Sequence, residues 1–190
     1  MLRILTVLIA LAAISPAQAG EVAVTDCDRF AAHPYDPAKK AAGVVFAAID
    51  AGRALMSCAT AFSQHPAAER FKYQYGRALL ADDRPIEAMI FLRTAAYGGY
   101  AAAQLSLATI LYNEDALPDE ELEAIRLFHK AAEQGHPVAQ LRLAAFYLRG
   151  EVGEPDPARA LDYARLAADG GLPAAKTAVE LMTGIVTVQK

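Results

Sequence analysis

Cysteine is nearly absent: the chain has two, Cys27 and Cys58. Neither lies in a C-x-x-C or a metal-finger spacing, so the sequence carries no redox motif and no zinc module. Strong charge of either sign is missing too. A formal net charge of −4 gives no electrostatic reason to expect nucleic acid or an anionic membrane surface as partner. Long apolar runs are limited to Ile4 to Ile14, too short to cross a bilayer comfortably. The motifs of common catalysis are absent as well: no G-x-S-x-G elbow, no glycine-rich phosphate loop and no H-E-x-x-H. His33, His65, His129 and His136 form no i, i+4 pair, and His65 and His136 simply precede prolines. His129 is expected to be solvated. The acids of Asn113-Glu114-Asp115 and Asp119-Glu120-Glu121 are interrupted by Ala116-Leu117-Pro118, which breaks a calcium-loop spacing. Those near residue 119 fit a helix start, where they complement its dipole. The expectation is a protein without catalytic residues, metal or cofactor.

What is present begins with an N-terminal leader. Arg3, the Ile4–Ile14 run and Ala17-Gln18-Ala19 match a secretory signal peptide over residues 1–19. The mature chain is then expected to start near Gly20 and to be exported, periplasmic or secreted, with no membrane span left. In an oxidising compartment Cys27 and Cys58 are expected to pair as a structural staple. A reactive thiol is the sharper alternative.

The body is periodic. Gly99, Gly135 and Gly171 stand 36 apart (135 − 99, 171 − 135), as do Ala88, Ala124 and Ala160. The pairs Ala95-Ala96, Ala131-Ala132 and Ala167-Ala168 keep the step; Gln104 and Gln140 keep it also, with Lys176 next in register. A fixed period of this size marks a helical solenoid. Helices are expected over Ala51–Ser63 (capped by Asp50), Ala67–Leu80, Ile86–Tyr97 (capped by Asp83), Ala101–Tyr112, Glu120–Gln134 and Pro137–Arg149. Two more follow: one after the Asp156 cap with Pro157 at its first position, and a terminal one from Pro173. Residues 20–49 are read as an irregular segment, with a helical turn at Cys27–Phe30 and Gly43–Phe46 as a possible extended stretch. Residues 50–184 form the repeats, and 185–190 a tail. The fold class is all-α, a helical-hairpin solenoid with a disulfide-pinned N-terminal segment. Alanines at matching positions let helix axes approach closely, while Phe91-Leu92, Leu127-Phe128 and Tyr163 fill between layers.

Ala124 to Gln140 follows A-x-x-L-F-x-K-A-A-E-Q-G-x-x-x-A-Q and resembles the Sel1-like repeat, a relative of the tetratricopeptide repeat. The resemblance is strongest over Ala101 to Ala175. Upstream, Gly76 to Ala88 spans 12 residues (88 − 76) against 16 for Ala108 to Ala124, closer to a plain tetratricopeptide unit. The resemblance implies a non-enzymatic scaffold that binds a protein or peptide on the inner face lined by the first helix of each hairpin. By that geometry Arg70, Tyr73, Arg77, Thr109, Tyr112, Asn113 and Arg149 face the partner. An ordinary solvated face is the plainer account of the same residues. Two other functions stay open: an envelope enzyme subunit or peptidoglycan-associated factor, and a structural self-associating protein.

Overall fold

A computed structural model describes residues 22–113 and 115–188. The signal-peptide expectation, residues 1–19, lies outside them. The described chain contains no strand. Its α-helices are α1 (Asp26–Ala31), α2 (Ala51–Gln64), α3 (Glu69–Ala81), α4 (Pro85–Tyr97), α5 (Ala101–Leu111), α6 (Pro118–Glu133), α7 (Pro137–Arg149), α8 (Pro157–Asp169) and α9 (Pro173–Val188). No helix among the described residues is long and apolar enough to cross a membrane.

Each helix packs on the one before it. The hairpins α3–α4, α5–α6 and α7–α8 stack in order, α2 leans on α3, and α9 closes the far end against α8. The ladder alanines are the contact points: Ala88, Ala108, Ala124, Ala144 and Ala160 are all fully buried. A methyl group there leaves room for a close neighbouring axis. Leu92, Leu107, Phe128, Leu143 and Phe146, also fully buried, fill the space between layers. Each contributes roughly 1.5–3 kcal/mol by leaving water. Phe128 meets Phe146 edge to face at 5.5 Å across two layers. Between layers the chain reverses at Gly99, Gly135 and Gly171, with φ of 92°, 81° and 81°. That left-handed backbone costs any residue with a Cβ, which explains the glycine step.

The glutamine step has its own cause. Gln104 Nε2 donates to Ala96 O and Gln140 Nε2 to Ala132 O, both at 3.2 Å and buried. Each ties the first helix of one layer to a carbonyl near the end of the preceding helix, one that also accepts from the repeat glycine's N–H. The expected caps at Asp50 and Asp156 form, accepting from the backbone N–H of Arg53 and Arg159. Asp83 does not cap: it takes φ 56° in the turn, and Arg84 precedes the Pro85 that opens α4. The Gly43–Phe46 stretch makes no strand, and Phe46–Ala48 forms a short 3-10 turn instead. The last helix runs to Val188, past the expected boundary at Gly184.

Candidate functional site

Residues 22–49 are not a loose leader. Thr25 caps α1 in a reciprocal box with Asp28, and the Cys27–Cys58 disulfide fixes α1 to α2. Closing a loop of 31 residues removes unfolded-state entropy of about 3.5 kcal/mol in the chain-entropy account. From α1 the segment crosses the side of the solenoid lined by α3 and the starts of α5 and α7 as a strap, held by residues of several layers. Arg70, on α3, pairs with Asp28 at 3.1 Å and donates to Val22 O and Ala23 O at 3.0 and 3.1 Å. Arg77, about two turns further along α3, donates to Ala31 O at 2.7 Å and Val44 O at 2.9 Å. Tyr73 is buried beneath, its oxygen accepting from Ser106. Burial pushes its phenol up to about 12.

The strap then runs along the residues that follow the repeat glycines, Tyr100, His136 and Leu172, again 36 apart (136 − 100, 172 − 136). Tyr100 donates to Asp36 Oδ2 at 2.5 Å. The His33 ring lies against the His136 ring at 5.4 Å between centroids, and Tyr35 packs beside Leu172, Val138 and Leu141. Burial raises the Asp36 carboxyl above its usual range, against the pull of the Tyr100 hydrogen bond. Burial also lowers His33 to about 4 and His136 to about 3. His136 precedes Pro137 at the start of α7 as expected, and it is fully buried there, with neither ring nitrogen hydrogen-bonded. His129 is half-buried rather than fully solvated, its ring edge-on to Tyr147 at 6.1 Å.

The seven expected partner-binding residues thus divide. Arg70 and Arg77 are occupied by the chain's own strap, because their donors serve its backbone carbonyls, and Tyr73 is buried between them. Thr109, Asn113 and Arg149 are exposed and Tyr112 half-buried. The structure gathers Tyr112 and Arg149 through a residue the sequence did not single out. Glu151 accepts from the Tyr112 hydroxyl at 2.5 Å and pairs with Arg149. Burial opposes ionisation of Glu151, but its bonds from Arg149 and Tyr112 hold the carboxyl below its usual range. Burial, then the Glu151 contact, pushes the Tyr112 phenol up to about 12. The Tyr112 ring rests against Phe146 at 4.9 Å. Beside this cluster, Tyr112, Asn113, Ala116 and Glu121 line an open depression of about 360 Å³. Thr109 stands one turn back, its hydroxyl donating to Leu105 O. The proximity of Glu151 arises because the α7–α8 loop folds over the end of α5, a contact 39 residues apart in the chain.

Antiparallel helix pairs in successive layers, with small residues at fixed steps and glycine reversals between layers, define an α-solenoid of the tetratricopeptide-related class. The sequence model of the Sel1 repeat matches residues 73–100, 101–136 and 137–172, more than half of the chain, and the chain belongs to that family. The match takes in the shorter upstream unit as well, so α3 and α4 are a Sel1 repeat with a tighter turn. A crystal structure of a Sel1 repeat protein from Oxalobacter formigenes is similar, with 26% identity and a TM-score of 0.57 over 67% of this chain and 98% of that one. Among curated proteins none matches the chain. Sel1 repeats generally mediate protein–protein interaction.

Proposed function

We propose that the chain is an exported, non-enzymatic scaffold that holds a protein or peptide partner on the part of its inner face that the strap leaves free. The observation that carries this is the Tyr112–Glu151–Arg149 cluster beside its depression. It is a partly exposed aromatic and charged surface where the ends of α5 and α7, from two adjacent repeats, meet the α7–α8 loop, with Thr109 and Asn113 beside it. Aromatic and arginine side chains in such a setting are the usual anchors of protein interfaces. Export rests on the Arg3, Ile4–Ile14 and Ala17-Gln18-Ala19 pattern and is supported by the Cys27–Cys58 bridge, since disulfides persist in oxidising compartments.

The test is affinity capture from an envelope fraction with the oxidised chain and with a Tyr112→Phe, Asn113→Ala, Arg149→Ala variant as baits. Tyr112→Phe keeps the ring against Phe146, so the variant should melt within a few degrees of wild type. Proteins retained by wild type and lost at least tenfold by the variant are the expected result. Equal retention of every bound protein would reject this surface.

A further inference from the structure

Between the strap and the first layers lies a cavity of about 310 Å³, open to solvent and separate from the Tyr112 depression. Its walls are Pro34, Tyr35, Val45, Phe46 and Leu80, and its polar lining is Arg77, Tyr73, Ser106 and His33. Val45 and Phe46 at its rim are 61% and 51% exposed, an unusual position for two large apolar side chains.

Three of the polar groups, Arg77, Tyr73 and His33, offer protons, while the Ser106 proton is spent on the Tyr73 oxygen. Arg77 is buried to 3% exposure, yet among the described residues no carboxylate lies within ion-pair distance of it. Only two neutral carbonyls accept from its guanidinium, which has five N–H groups. The neighbouring Asp36 is already engaged by the Tyr100 hydroxyl and the Ala38 N–H. Tyr73 accepts from Ser106, which leaves its own proton to donate. His33 Nδ1 accepts from the Tyr35 N–H, so in the neutral ring the proton sits on Nε2. A buried cation is ordinarily paired. Here one side of it faces a cavity among donors and apolar walls.

We propose that this cavity binds a carboxylate carried on a small apolar body, the anion against Arg77 and Tyr73 and the apolar part against Phe46, Val45 and Leu80. A bare inorganic anion would leave the apolar walls unused. The volume, at the lower end of ligand sites, fits a ligand of about a dozen heavy atoms. A free aromatic or aliphatic acid and the C-terminal residue of a peptide share this chemistry. The site does not use the Tyr112 surface, and its failure would leave the partner-binding proposal standing.

The test is calorimetric titration of the intact, oxidised chain with 3-phenylpropionate and with its neutral analogue 3-phenylpropionamide. The acid is expected to bind at least tenfold more tightly than the amide. Tyr73→Phe and Phe46→Ala, neither of which removes a strap anchor, should each weaken the acid several-fold and leave the melting temperature of the free protein nearly unchanged. N-acetyl-alanyl-phenylalanine distinguishes the two sources: tighter binding than phenylpropionate assigns the site to a peptide end, weaker binding to a free acid. Equal affinity for acid and amide, or no heat from either at millimolar concentration, would overturn the proposal.

Discussion

Replacing Arg70 by alanine is expected to lower stability by about 3–5 kcal/mol, the usual cost of stranding one member of a buried ion pair. Asp28 is the member stranded, with a side chain of 0% exposure against 11% for Arg70. Its carboxylate would keep Thr25 N–H at 2.9 Å, the Thr25 hydroxyl at 3.0 Å and Gln74 Nε2 at 3.1 Å, but no cation. The same substitution strips the donors from Val22 O and Ala23 O and loosens the start of the strap. A large drop in the urea midpoint is therefore expected for Arg70→Ala. Little change is expected for Arg84→Ala, whose pair with Glu87 is exposed at the α3–α4 turn. If both variants unfolded at the same midpoint, the strap would have no energetic hold on α3.

Acid should loosen the strap as well, through the two histidines. In the unfolded chain both take protons as pH falls through about 6.5; in the folded chain His33 waits until about 4 and His136 until about 3. The unfolded state then binds more protons across that window, so stability is full above about pH 6.5 and declines as pH falls toward 4. One pKa unit corresponds to about 1.4 kcal/mol, so a loss on the order of 4 kcal/mol is expected between pH 7 and pH 4.5. Burial sets the sign, and the surrounding charges add to it. Arg77 and Lys39 disfavour a charged His33, and His33 with Lys39 disfavours a charged His136. Asp36, its carboxyl raised by burial, acts in the opposite direction and offsets part of the loss. A His136→Phe variant should unfold at nearly the same urea concentration as wild type at pH 7, since no hydrogen bond is forfeited. It should show a visibly shallower decline by pH 4.5. Identical pH profiles for the two proteins would contradict this assignment.

The solenoid was legible because its signals are local or periodic. The glycines at 99, 135 and 171 report a backbone conformation, the alanines at 88, 124 and 160 a close approach, and Asp156-Pro157 a helix start. Each can be read within one repeat. The disulfide was legible from two cysteines and the signal-like pattern that precedes them. The strap was not, because Arg77 reaches Ala31 across 46 residues and Tyr100 reaches Asp36 across 64, with no periodic trace of either. The burial of His136 was hidden for the same reason: the His33 ring against it comes from another part of the chain. One signal was available in retrospect. The post-glycine position reads Tyr, His, Leu at the repeat step, and three large side chains in that register need something to cover them. The split among the candidate partner residues has the same origin. Arg70 and Arg77 look like exposed cations on a helix face until the irregular segment is laid over them.

Amide hydrogen exchange of the oxidised chain at neutral pH tests the central claim, that residues 22–49 are docked across the inner face of a Sel1 solenoid. Val44 N–H, which donates to Ala32 O at 2.8 Å beneath the Arg77 contacts, is the most informative probe. The structure predicts that Val44 and the amides of α1 exchange orders of magnitude more slowly than an unfolded chain. Exchange of Val44 and α1 at the rate of a free peptide would show that the inner face is open and that the strap is not there.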